Sequence, residues 1–326
     1  MNKLSFLTRI MLSEIELIEI LTFITIRINR YLCLFVFLFG IIGNLLNIFV
    51  LSQRILRYNP CAYLFLVSSI LNCISILFGL TPKIISGWTT DLIDINRYVC
   101  KCIVFVLFTA RTIAFWLIIF AIIDRWILSL STAHHRQLST LKNAQYSSLL
   151  IIILSIILYI HTIYCYEANQ YYTPFKCYGK TISCRLLTDL TYACFTILIP
   201  LILMIIFGSI TVSNIRHKHD HISSRYLSVF ISKQERRWKK IDRYLYRMLF
   251  LQVILLMFLT LPQTVHKLYS TLMINEQKSN VQHAINQFLY NFDSLLPYIA
   301  SGMPFYVYTL TGGKVFRRGL KKLFLK

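Results

Sequence analysis

Seven stretches of about 20 or more residues run almost free of Asp, Glu, Lys and Arg, and no feature constrains this chain more. They cover 31–53, 58–82, 102–123, 143–166, 190–215, 248–266 and 286–313. A helix needs about 20 apolar residues to cross roughly 30 Å of hydrocarbon, and a spanning segment must satisfy its own backbone hydrogen bonds, so each stretch predicts a transmembrane helix. Only two charges fall inside them, Arg111 in the third and Asp293 in the seventh. Residues 1–30 add no further span, because Glu14, Glu16 and Glu19 interrupt their apolar run, and are expected to form an N-terminal arm.

The charge distribution orients the bundle. The chain carries 34 Lys and Arg against 13 Asp and Glu, a net charge of +21. Twenty-one of the basic residues lie after spans one, three, five and seven and eleven on the other side, which the positive-inside rule reads as an outside N-terminus and an inside C-terminus. Topology therefore accounts for most of the charge, and a nucleic-acid partner is set aside. A hydropathic 56% of residues also excludes a soluble domain. No catalytic constellation, phosphate loop or cofactor motif is present, so neither an enzyme nor a cofactor is expected; His217, His219 and His221 alternate in a basic loop and make a poor metal set. The expected fold is an all-α membrane protein, a seven-transmembrane helix bundle over 31–313. Residues 314–326 follow as a short amphipathic eighth helix, with Phe316, Leu320, Leu323 and Phe324 on one face and basic residues on the other.

Several residues go beyond a generic span. Asn44 follows Gly43 in the middle of span one, and Asp124-Arg125-Trp126 closes span three, 25 positions after Cys100. At 1.5 Å per residue that is about 37 Å, a full crossing. With the seven spans, these residues resemble the rhodopsin-like (class A) G-protein-coupled receptors, over about 31–324. The resemblance matches Asn44 to the asparagine of helix one, Cys100 to the half-cystine of helix three, and Asp124, Arg125 and Trp126 to the Asp-Arg-Tyr motif. It further matches Pro200 and Pro262 to the prolines of helices five and six, Asp242 to the acidic partner of the helix-three arginine, and Tyr308 to the tyrosine of a degraded Asn-Pro-x-x-Tyr motif. Asn72 stands where helix two of the family carries an Asp, and Thr260 where its switch tryptophan would sit.

The resemblance implies a plasma-membrane receptor that couples an extracellular ligand to a heterotrimeric G protein, surrounded by membrane lipid. Arg125 paired with Asp124 and Asp242 would hold the inactive state, and a Cys100–Cys177 bridge is implied, with a Cys177–Cys184 clip or Cys102 in place of Cys100 left open. Leu107 occupies the place where amine receptors carry an Asp, which argues against an amine ligand. Arg111 is a charge near mid-membrane, costing on the order of 2.5 kcal/mol or more unless it meets a partner or a watery cavity. It either pairs with Asp293 or contacts ligand. Together with Lys83, Lys101, His266 and Lys267 it favours a ligand with an acidic group, a peptide of neuropeptide type first among them. A seven-helix transporter or channel subunit, which would need a continuous polar path, and a signalling-silent decoy of the same fold are the competing readings.

Overall fold

The computed structural model describes residues 3–53, 56–88, 96–130, 133–169, 177–223, 233–272 and 279–311, with the side chains of 3–12, 133, 135, 212, 215–223, 233–250 and 310–311 outside that description. The expected amphipathic helix at 314–326 therefore lies outside the described residues. Among those described, six helices are long and apolar enough to cross a membrane, with mean hydropathies between 1.3 and 2.6. The seventh crossing is made of three shorter pieces, Asn280–Asp293, Leu296–Gly302 and Pro304–Thr311. Together they form the seven-transmembrane bundle.

Local chemistry sets the helix ends. Asn59, Asn96, Thr140, Thr181 and Ser279 each turn a side-chain oxygen onto the first free backbone N–H groups of the helix that follows. Ser279 and Gln282 complete a reciprocal capping box. Pro297 opens the second piece of span seven and Pro304 the third, positions where the missing N–H costs nothing. Pro200 leaves a different mark. The turn before it, Tyr192–Leu198, widens to a π-helix, and the Phe195 carbonyl within that turn accepts a hydrogen bond from Trp116 Nε1 at 3.0 Å.

The stretch expected as an arm is helical. Lys3–Arg27, a π-turn at Ile28–Leu32 and span one at Cys33–Leu51 run on without a break, about 70 Å at 1.5 Å per residue. Glutamate disfavours burial in hydrocarbon and not helix formation, so Glu14, Glu16 and Glu19 end the apolar run while leaving the helix intact; all three are exposed. This extension packs against the first piece of span seven.

Span three, Arg97–Ser129, is the most buried of the six long helices and touches spans two, four and five. One end of the bundle carries a two-stranded antiparallel hairpin, Tyr166–Glu167 with Tyr178–Gly179, paired Tyr166 to Gly179. It is anchored by disulfides Cys100–Cys177 to span three and Cys165–Cys184 across its own base. Arg97 and Lys101 of span three meet Glu167 of the hairpin at 2.7 and 4.0 Å.

Spans one and seven touch through glycines. Asn44, fully buried, donates to the carbonyls of Gly40 and Ser301 at 2.8 and 3.0 Å. A Cβ on Gly302 would stand 2.8 Å from Gly40 Cα, backbone against backbone, with no flexible side chain to yield. Gly302→Ala should therefore part the two helices and lower stability by about 1–3 kcal/mol, read as a fall in the thermal midpoint of the purified protein. An unchanged midpoint would mean that the helices are not in backbone contact.

Candidate functional site

A cavity of about 360 Å³ opens at the hairpin end, bounded by spans two, three, five, six and seven, with Tyr166, Cys177 and Tyr178 of the hairpin and Thr25, Ile26 and Asn29 of the long first helix among its walls. Span seven contributes Gln287, Tyr290, Asn291, Ser294 and Tyr298, the repeat of three and four that gives one helical face. Leu107, Arg111, Lys83 and Lys267 all line it, and among the described residues no Asp or Glu does.

Arg111 lies at its inner end, 2% exposed. Its Nη1 donates to the Tyr192 hydroxyl at 3.2 Å, which donates onward to Gln263 Oε1 at 3.4 Å, and the guanidinium carbon sits 4.5 Å from the ring centroid of Tyr298. Nε and Nη2 have no hydrogen-bond acceptor among the described residues. Tyr298 can lie beneath the guanidinium because the residue opposite is Gly79, where a methyl would collide with its hydroxyl. Just below, Thr112, Thr196 and Tyr159 join spans three, five and four through contacts of 2.6 and 2.5 Å.

Asp293 is not the partner of Arg111. It receives His266 Nδ1 at 2.8 Å, and both residues line a separate groove between spans six and seven together with Phe258 and Val265, which are 75% and 64% exposed. His266 and Asp293, expected as ligand-binding residues, are not among those that line this cavity. His266 and Lys267 are consecutive on a helix and so cannot share a face, and Asp293 falls off the 287-290-291-294 stripe.

Lys267 does reach the cavity wall, but in a buried ion pair with Asp189 of span five, 2.8 Å away, with side chains 4% and 1% exposed. Its ammonium also stands 4.5 Å from the Phe108 ring and 5.1 Å from Tyr192. Thr271 and Tyr178 donate to the other oxygen of Asp189, Tyr178 from 3.5 Å. Burial first, and the carboxylate second, push the Tyr178 phenol up, which keeps it a donor. Lys83 donates to Ser294 Oγ, which in turn donates to the Asn291 carbonyl.

Fourteen residues further along span three, about 21 Å at helical rise, is a second buried arginine. Arg125 Nη2 bonds Asp124 Oδ2 at 3.0 Å and Asn59 Oδ1, the cap of span two, at 2.8 Å. Ser139 donates to the other oxygen of Asp124 at 2.5 Å. The Asp242 side chain lies outside the described residues. The Trp126 ring packs on Phe207 at 5.1 Å, and Tyr308, fully buried, donates to Gln252 Oε1 of span six at 2.6 Å and packs on Phe65. Asn72 is buried on span two. Thr260 turns its hydroxyl onto the Leu256 carbonyl of its own helix.

Asp189, Tyr192, Tyr298, Gln263 and Asn59 were missed in the sequence. Asp189 was readable, as an acid one position before an apolar stretch when Lys267 needed a partner; the tyrosines carried no distinguishing signal.

Seven crossings, a cavity reaching Arg111 at one end and an arginine clamp at the other describe a seven-helix membrane bundle. The chain belongs to the rhodopsin family of seven-transmembrane receptors, whose sequence profile matches residues 43–303. It is thus of a family of receptors, not enzymes. No curated protein matches the chain at a significant level.

Removing one partner of a buried ion pair leaves an uncompensated charge at about 3–5 kcal/mol, whereas replacing both with apolar groups is far cheaper. Asp189→Asn should accordingly lower the thermal midpoint more than the double replacement Asp189→Leu with Lys267→Met. Equal losses would show that the two side chains do not interact.

Proposed function

We propose that this chain is a plasma-membrane receptor, its hairpin end outside and its Arg125 end in the cytoplasm, that carries the binding of an acidic ligand to a heterotrimeric G protein. The observation that supports this most is the pairing of two buried arginines on one helix. Arg111, with donors to spare, lies on the cavity; Arg125 is held between spans two and three at the far end. The excess of basic residues beside the Arg125 end supports the orientation.

The ligand's acidic group, whether a peptide carboxyl terminus or another anion, would take the free Nε and Nη2 donors in a charge-assisted, two-pronged contact. Its arrival displaces the balance of Arg111 between Tyr192 on span five and Tyr298 on span seven. Asp124, Asn59 and the acidic position of Asp242 compete for Arg125 in the resting receptor, and a G protein needs that arginine released.

G-protein activation in cells tests the reading. Arg125→Ala at matched surface level should abolish a ligand-dependent signal. Asn59→Ala, which deletes one anchor of Arg125 as well as a helix cap, should raise the ligand-free signal several-fold. A ligand response that survives Arg125→Ala would exclude this switch, and silence of every variant would favour a decoy.

A further inference from the structure

Resting on that reading, we infer that the cavity takes a small amphiphile with one carboxylate on an aryl or alkyl body, and not a peptide chain. Four observations converge. Arg111 is 2% exposed, lines the cavity and keeps two N–H donors without acceptors among the described residues, so it offers a two-pronged seat for one carboxylate. Among the described residues no acidic side chain lines the cavity, so none of them is placed to receive a ligand ammonium, the group a peptide with a free amino terminus would bring. Of the two lysines on the wall, Lys267 is already taken by Asp189 and enclosed by Phe108 and Tyr192, and Lys83 donates to Ser294. The space is about 360 Å³, at the low end of the roughly 300–1,000 Å³ typical of small-molecule sites.

Part of the wall matches an apolar body: Ile103, Val104, Leu107 and Phe108 of span three and Phe78 of span two line the cavity, as do Tyr166, Tyr178, Tyr192, Tyr290 and Tyr298. Peptide amides would have to find partners among Asn29, Gln263, Gln287, Asn291 and Ser294, and each donor or acceptor left buried and unpaired would cost about 1–3 kcal/mol, whereas a single-headed anion brings none beyond the carboxylate. The hairpin, tied down by Cys100–Cys177 and Cys165–Cys184, and the long first helix supply part of the wall that bounds this space.

The test is thermal unfolding of the full-length protein in lipid nanodiscs with 4-phenylbutyrate, decanoate, their neutral analogues 4-phenylbutanol and 1-decanol, the dicarboxylate sebacate, and a tetrapeptide with a free carboxyl terminus. G-protein activation is read in the same preparation. We expect the two monocarboxylates to raise the midpoint in a saturable way and the alcohols, sebacate and peptide to do so at least tenfold more weakly. Arg111→Gln should remove the shift, and Arg111→Lys should retain part of it, which separates a lost contact from a misfolded protein. A shift unaffected by Arg111→Gln, or stabilisation by the peptide and by neither monocarboxylate, would overturn the inference, as would the absence of any shift. Stabilisation by the monocarboxylates without G-protein activation would leave the ligand class standing and refute the signalling reading.

Discussion

A cation inside a membrane-spanning bundle must be answered by something, and this structure is organised around how three of its buried cations, Lys267, Arg125 and Arg111, are answered. Lys267 meets a full carboxylate, Asp189, whose remaining oxygen is held by Thr271 and Tyr178. Arg125 is shared between its neighbour Asp124 and Asn59, the cap of span two. Arg111 has the tyrosines Tyr192 and Tyr298 and, among the described residues, no carboxylate. The first two solutions stitch spans five to six and two to three; the third leaves a position that the proposed anion would complete. Hydrophobic matching to lipid cannot supply such specificity, because lipid is as apolar as the helices it surrounds.

Much of this was legible in the chain. The spans were visible because lipid imposes a length of uncharged residues that no soluble helix has to meet, and Arg111 drew notice because a charge at that depth needs a reason. Span seven was legible in its extent, and its breaks at Pro297 and Pro304 follow from the missing N–H of proline.

Other features depend on rotation about a helix axis, which apolar runs do not encode. His266 and Lys267 looked equivalent in sequence, yet one faces the cavity and the other the groove with Asp293. The partner of Arg111 was sought in the one acid inside a span, whereas the structure uses Tyr192 and Tyr298, residues indistinguishable from the other eighteen tyrosines. Asp189 was passed over because it stood at the edge of a span. The helical character of 3–30 was hidden because charges were allowed to end a helix when they end only an apolar surface.

The central claim is that span three ties the occupancy of an anion-reading cavity to the arginine clamp about 21 Å away. The most direct measurement is the distance between spin labels at positions 134 and 239, at the Arg125 end, in nanodiscs, with the free cysteines replaced. With 4-phenylbutyrate at a concentration that stabilises the protein, the account predicts a second, longer separation that is absent in Arg111→Gln. A distance distribution that stays the same while the anion is bound would contradict it.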